Sequence, residues 1–480
     1  MRHQLSENLR QLDTTGMSRR QVLGLAAMAA AAVPLASGCS GETGPLEPLK
    51  TPPENEMYPL AAAKELFHSL DWPKTDVPEP TKPVTVTMAI TADKNAEVRH
   101  QQFAYFFREL HPNIEIKREV TSFADFLTKY LTSAAGGSLP DVMYCQYAWA
   151  SNLIQKNILA PIDDFIAKTP DFKLDDFAPE AISYWVKDGK HYAVPSDSAP
   201  KLLFYNKDIF DKAGMKYPDP TWTWQRLQET AVELTSGTGV NKIFGYTPMP
   251  KMSADLTATH LLSYGGRLLN PDESAVLIDQ PGAHDALAPW VELAVKHKAV
   301  PSNAEMLALE AADPFRRNHA AMSVNGLWIL SEMQTLPKKD RFRWGLTHIP
   351  SGPEGRFSPL IGSSFGITKR AKNPEAAWIV LNAFMSAAGH RYFRVTPPSR
   401  LSTFEQNLAD LKLPAQVVKD GESAVKTYGT SDGVLRGPAT TKITDAATVT
   451  WDKVRAGTMP LADGLAEIKA TVGPILKENA

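Results

Sequence analysis

The sequence predicts an α/β fold in two lobes, and three observations carry that expectation. Strand-like and helix-like runs alternate from Val84 onward, the pattern of an open parallel sheet covered by helices. The chain has 480 residues, 43 % of them hydrophobic, which exceeds the size at which one core keeps growing, so two domains are expected. Tyr192-Ala193-Val194-Pro195 and Lys201-Leu202-Leu203-Phe204-Tyr205-Asn206 read as one extended segment broken at Pro195 to Pro200. Such a segment suits a strand that leaves one sheet and enters another across the floor of a cleft.

Taken in order, residues 1–38 read as an export signal. Ser18-Arg19-Arg20-Gln21 precedes an apolar run, Val22 to Ala36, that is too short for an ordinary membrane span. The paired arginines resemble a twin-arginine signal, with Val22 where that pattern favours Phe, and Leu35-Ala36-Ser37-Gly38-Cys39 resembles a lipobox. Cys39 is therefore the expected lipidation site, placing the protein at the outer face of the cytoplasmic membrane as a lipoprotein. Cys145, the other of the two cysteines, reads as a small buried hydrophobe. Residues 39–82, rich in Gly, Pro and polar side chains around one short helical stretch at Leu60 to Leu70, read as a tether.

The first lobe is expected to begin at 83 and run to 197. Val84 to Ile90 has strand pattern, Asn95 to Leu110 repeats Phe103, Phe106, Phe107 and Leu110 at helical spacing, and Ile114 to Val120 alternates again. Ser122 then opens a helical face of Phe123, Phe126, Leu127, Tyr130 and Leu131 that ends at Gly136-Gly137, before the strand Asp141 to Cys145. Ligands of such sheets gather at the carboxyl ends of the strands. That rule selects Asp93 and Lys94 after the first strand and Gln146, Tyr147 and Trp149 after the third. The second lobe is expected over 198–343, with helices at Trp224 to Leu234, Ala254 to Tyr264 and Ala283 to His297 and strands at Ile243 to Thr247 and Ala320 to Val324. A return to the first lobe is assigned to 344–390, with crossings near Phe342 to Thr347 and Thr368 to Arg370, and 391–480 is a helical part lying mainly with the second lobe.

Composition and motifs exclude several functions. The formal charge of −2 and the absence of a basic tract argue against nucleic acid as a partner. No phosphate-binding Gly-Lys-Ser/Thr loop, Gly-x-Gly-x-x-Gly or His-Glu-x-x-His is present, and the serines of Gly362-Ser363-Ser364-Phe365-Gly366 are not read as a nucleophile elbow. Asp163-Asp164 and Asp175-Asp176 leave a secreted glycoside hydrolase as the alternative enzyme reading, although neighbouring carboxylates of this kind commonly sit in water. What remains is loop-borne Trp, Tyr, Asp, Asn and Arg. Aromatic faces cover the apolar side of a sugar ring while carboxylates and amides pair with its hydroxyls.

Several stretches in a shared order carry a resemblance. They are Leu139-Pro140-Asp141-Val142 with Ile158-Leu159-Ala160-Pro161-Ile162, Tyr192-Ala193-Val194-Pro195 with Leu203-Phe204-Tyr205-Asn206-Lys207-Asp208, and Gly265-Gly266. The others are Ala321-Met322 with Asn325-Gly326 and Trp328, and Gly362 to Thr368 with Asn373-Pro374-Glu375-Ala376-Ala377-Trp378. From about Pro83 to the C-terminus the chain resembles the extracellular solute-binding proteins of carbohydrate-uptake ABC transporters, the maltose-binding-protein-like type. The resemblance implies a periplasmic-binding-protein-like fold with a central ligand cleft and hinge crossovers, no enzymatic activity, no cofactor and no metal. It also implies a monomer that captures a sugar, or a charged solute such as a glycerophosphodiester or peptide, and hands it to a membrane permease. By the same resemblance Asp93 and Lys94 lie on a rim of the cleft, and Gln146, Tyr147 and Trp149 lie in a sugar-contacting loop that lacks the Asp-Arg pair of the maltose binder. Asp197 falls where an acidic ligand contact occurs, Trp328 resembles an aromatic platform, and Arg267 occupies a loop that reaches the cleft.

Overall fold

The computed structural model describes residues 46–480 except 57, 92–93, 199, 248–250, 310–312, 335, 337, 394–397, 411–412 and 479–480. The expected signal segment, Cys39 and Asp93 lie outside the described residues, as does the side chain of Lys94.

Two sheets organise the chain. The first has five strands in the order Ile114–Val120, Val84–Ile90, Val142–Gln146, Ser363–Ile367, Val194–Pro195. The first three are parallel, as their intervening helices require, and the last two run antiparallel to their neighbours. The expected parallel sheet is thus a mixed one, completed by strands that arrive from distant sequence. The second sheet has the order Trp344–His348, Lys201–Asn206, Ala320–Gly326, Phe244–Thr247, with only the last pair parallel. Lys201–Asn206 is buried at every position, which explains why it reads as a continuous apolar run rather than an alternating one.

Local chemistry sets the element ends. The Asn206 side chain accepts from the amides of Asp208 and Ile209 at 3.0 and 3.2 Å, stopping the strand and capping the helix Lys207–Ala213. Ser122 caps Phe123–Ala135 by accepting from the Asp125 amide. On the first sheet, Phe103, Phe106 and Phe107 of Lys94–Leu110 pack with Trp378 of Pro374–Met385 in one core. Phe126, Tyr130 and Trp185 pack with Cys145, which is fully buried as expected, in another. The second sheet's core takes in Trp224, Trp290 and the C-terminal helices Thr440–Arg455 and Leu461–Glu478, with Trp451 at 2 % exposure among them.

Three boundaries differ from the sequence reading. The segment expected to be a tether includes a helix, Leu60–Ser69, whose Ala63 and Phe67 join the first core together with Val77, while the Trp72 indole donates to the Phe67 carbonyl. Leu60, Ala63, Leu66, Phe67 and Leu70 recur at helical spacing, but a single short helix among prolines and polar residues does not declare which core it joins. The return at 344 is also displaced. Trp344–His348 pairs antiparallel with Lys201–Asn206 in the second sheet, and the chain re-enters the first sheet only at Ser363–Ile367. Residues 349–362 therefore make the return, and Thr368 already belongs to the first sheet's surroundings, its amide donating to the Asp141 carbonyl. Finally, Ala387–Phe393 stays with the first core through Tyr392, and the second core is rejoined from Phe404 onward.

Asp141 explains the Leu-Pro-Asp-Val stretch. Its carboxylate, 2 % exposed, accepts from the Thr87 amide and hydroxyl at 2.8 and 2.6 Å and from the Lys372 amide at 2.6 Å, fastening two parallel strands to the returning chain. Asp141→Ala leaves the two Thr87 donors unpaired in the sheet and releases the Lys372 amide, so a loss of about 3 kcal/mol is expected in urea unfolding.

Candidate functional site

The chain passes between the sheets through Ser196 to Pro200, since Val194–Pro195 pairs with Ser364 and Phe365 of the first sheet while Lys201 pairs with Gly326 of the second. Asp197 stands in this crossing. Its Oδ1 accepts from the amide of Ser363 and from the Ser363 hydroxyl at 3.0 Å. Gly362 permits the approach, because a Cβ there would collide with the Asp197 carbonyl and carboxylate. Ser363 in turn is the sheet partner of Gln146, so two of the predicted residues, Asp197 and Gln146, meet across one serine. Burial pushes the Asp197 carboxyl up to about 6, with the Ser363 hydrogen bonds opposing the shift.

Trp328 forms the second part. It follows the strand Ala320–Gly326, and its indole lies against Gly326, where a side chain would strike the ring. The turn is fixed by Asn325, whose Nδ2 donates to Asp313 at 3.1 Å and whose Oδ1 accepts from the Gly326 amide at 2.9 Å. Trp328 is 38 % exposed. The Lys201 ammonium sits 3.8 Å from the centre of its ring and pairs with Asp255.

The loop after the third strand forms the third part. Gln146 caps the following turn by accepting from the Ala148 amide at 2.9 Å. Tyr147, 9 % exposed, lies 5.6 Å from Tyr184, and its hydroxyl is pushed up by burial and, secondarily, by the charge of Asp255. Trp149 is 7 % exposed and stacks on Phe126 and Phe123 at 5.9 and 5.5 Å, leaving Phe123, 54 % exposed, as the open aromatic of this wall. Tyr147 and Trp149 share an apolar cluster with Ala254, Ala258, Leu262 and Val434, residues that flank Asp255 or lie near Asp432.

Arg267 stands apart from this group. Its guanidinium makes a two-pronged pair with Asp432, Nη2 donating to Oδ2 at 2.6 Å. The pair lies on the wall of a cavity of about 480 Å³ that also includes Asn270, Glu273, Thr257 and Arg436. Lys94 opens its helix at the end of the first strand. Sequence reasoning missed Lys201, Asp255, Tyr184 and Arg436, whose guanidinium lies 4.6 Å over the Tyr184 ring. Lys201 had one signal, a cation inside an otherwise apolar buried strand; Asp255 and Arg436 had none, since they come from unrelated helical and loop segments.

One carboxylate of each pair in the hydrolase alternative is engaged elsewhere. Asp163 accepts from the amide of His191 at 3.0 Å and contacts its ring, and Asp176 holds the buried Arg400. Among the described residues no three His, Cys, Asp or Glu side chains gather in a way that could hold a metal ion.

The elevated Asp197 carboxyl gives a pH signature. Between about pH 4 and 6 the folded protein binds the proton more tightly than the unfolded chain, so this group's contribution to stability falls as pH rises through that window and levels off above it. Urea unfolding of wild type and Asp197→Asn at pH 4, 5, 6 and 7 is expected to show wild type losing ground to the variant most steeply up to about pH 6, with the loss fading from there to pH 7. A constant difference would show that the carboxyl titrates normally.

Comparison with known proteins bears on the whole arrangement. Relatives from Brucella abortus are 26 % identical over 278 residues, 58 % of this chain and 66 % of theirs, so the match covers just under two thirds of their length. The mannitol-binding protein of Pseudomonas aeruginosa is 32 % identical over 157 residues, 31 % of this chain and 34 % of that protein. Among solved structures, an ABC substrate-binding protein from Listeria monocytogenes in complex with cycloalternan superposes with a TM-score of 0.73 at 22 % identity, covering 83 % of this chain and 99 % of that one. The GacH receptor of Streptomyces glaucescens superposes with a TM-score of 0.69 at 24 % identity, covering 82 % of this chain and 99 % of that one. The fold is therefore the periplasmic-binding-protein architecture. With the family's sequence model matching residues 87–390, the chain belongs to the bacterial extracellular solute-binding protein family.

Proposed function

We propose that the protein captures a neutral sugar or oligosaccharide between its two sheets and delivers it, unchanged, to the permease of an ABC transporter. The observation that carries this reading is the partly open Trp328 ring standing beside the crossing that bears Asp197. A flat aromatic surface, with carboxylates at Asp197 in the crossing and at Asp255 on the Lys201 that meets the ring, suits a solute with an apolar ring face and hydroxyl donors. Charge compensation favours a neutral solute over a glycerophosphodiester, because Lys201 is matched by Asp255 and Arg267 by Asp432. Among similar proteins, a mannitol binder and a complex with cycloalternan support this reading, while an sn-glycerol-3-phosphate-binding protein of Agrobacterium fabrum, 38 % identical over 68 residues, supports the charged alternative.

Capture requires motion in this reading. The sheets with their cores act as two bodies that close about the crossings at 196–200 and 349–362 and about the passage from the first core to the second before Phe404. The export signal and lipobox reading of residues 1–39 would hold the protein at the outer face of the membrane.

Calorimetric titration with neutral mono- and disaccharides is expected to give saturable binding to wild type. Trp328→Ala should weaken it by about 2 kcal/mol through loss of a central stacking contact, and Asp197→Asn by about 1 to 3 kcal/mol through loss of a charged acceptor. Saturating sugar should also reduce the radius measured by small-angle scattering, and the sugar should be recovered uncut. Binding confined to charged solutes, or steady turnover, would overturn the proposal. For the anchor, Cys39→Ala should abolish labelling by radioactive fatty acid and release the protein from the membrane fraction; undiminished labelling would remove Cys39 from that role.

A further inference from the structure

Lys201 is a costly residue where it stands. Its side chain is 0 % exposed, and beyond Asp255 and the Trp328 ring its ammonium has no partner among the described residues. Burial lowers its pKa, and Asp255 opposes that shift. Apolar side chains of similar volume usually serve stability as well as or better than a buried ion pair. A cation kept at this position therefore suggests a task other than holding the strand.

The surroundings indicate what that task is. Lys201 pairs in the sheet with Gly326, two residues before Trp328, and the missing Cβ of Gly326 lets the indole lie down over the strand. The ammonium then meets the ring 3.8 Å from its centre, while 38 % of the residue stays open to solvent. The same ammonium draws in Oδ1 of Asp255, whose side chain is 15 % exposed and whose Oδ2 has a long contact of 3.3 Å from the Ser253 hydroxyl. One buried cation thus fixes an aromatic face and a carboxylate side by side. Tyr147, whose hydroxyl feels the charge of Asp255, brings the loop of the first sheet to the same place.

We propose that Asp255 is a ligand-contacting acceptor, that Lys201 is a positioning residue aligning it with Trp328, and that the trio selects a neutral pyranose ring over its carboxylated counterpart. The ring's C–H face rests on the indole and a hydroxyl at its edge donates to Asp255. The inference rests on the carbohydrate reading above and deepens it. Selection follows from the charges: the ammonium under the indole is already matched by Asp255, so a uronate seated on Trp328 would meet that carboxylate and gain no free ammonium.

The test uses Lys201→Met/Asp255→Asn, which removes both charges while keeping the volumes, and so avoids stranding one buried ion. Probes are glucose and maltose with glucuronate as the charged counterpart, followed by calorimetry and by the ligand-induced change in Trp328 emission, taken as the difference between wild type and Trp328→Phe. Wild type is expected to bind at least one neutral probe tenfold or more tightly than glucuronate. The double variant, unfolding in urea as cooperatively as wild type, should lose at least tenfold in affinity for the neutral sugar, lose much of the preference over glucuronate, and show a smaller Trp328 response. A purely structural pair would leave the selectivity and the Trp328 response unchanged. Should the double variant not fold, Asp255→Asn alone carries the same titration. Wild-type affinity and selectivity in the variant would overturn this inference while leaving the carbohydrate reading intact. Failure of wild type to bind either neutral probe would overturn the inference together with its choice of ligand class.

Discussion

The structure depends on one constraint: a single stretch of chain must belong to two sheets. Val194–Pro195 is an edge strand of the first and Lys201–Asn206 a central strand of the second; between them only the Ser196 and Asp197 amides still reach a strand, at the Ser363 carbonyl, and the other backbone groups leave both ladders. Their partners come from elsewhere in the fold. The Ser196 carbonyl faces Nε2 of buried His390 at 2.8 Å and accepts from the Ser399 amide at 3.2 Å, and the Pro195 carbonyl accepts from the Ser399 hydroxyl at 2.5 Å. On the far side, the Lys201 amide donates to the Ser358 hydroxyl at 2.6 Å. Each bond replaces a ladder partner that the crossing has given up, so the segment is ordered without being a strand.

That accounting also explains why the candidate site lies where it does. A crossing whose backbone is held by side chains from distant segments brings those segments together, and with them Gly362-Ser363, the end of the strand at Gln146 and the turn at Gly326. The strand ends that deliver these residues also leave polar groups facing the junction. Asp197 acquires its raised pKa there because burial outweighs the two hydrogen bonds from Ser363. Lys201 is paired there with Asp255, and Arg267, which stands apart, with Asp432.

The helices have a supporting part. The C-terminal pair Thr440–Arg455 and Leu461–Glu478 backs the second sheet through Ile443, Trp451, Leu465 and Ile468, while Ala387–Phe393 remains with the first through Tyr392. Between them, Leu401–Thr403 and Ala415–Tyr428 carry the chain from one core to the other. The tail thus ties the two cores together, and its Val434 and Arg436 also reach the Tyr147 and Tyr184 side of the candidate site.

Local physics determined much of this in the sequence. Alternating or continuous apolar runs marked the strands at 84–90, 114–120, 142–146 and 201–206, because side-chain burial on one or two faces of a sheet leaves a periodic record. The broken segment at Pro195 to Pro200 marked the crossing, since proline and short polar residues interrupt a ladder at the residue level. Trp328 after Asn325-Gly326 was singled out by resemblance and not by local pattern, and its part in the site belongs to the proposal. Tertiary structure alone decided the rest. Nothing near Trp344 states that it pairs with Asn206, or that Leu60–Ser69 packs against a core rather than spanning solvent, because those outcomes depend on partners more than a hundred or some forty residues away. The contacts of Lys201 with Asp255 and of Arg267 with Asp432 are of the same kind. A charge does not record its counter-charge in its own neighbourhood, and only the folded chain brings the two together.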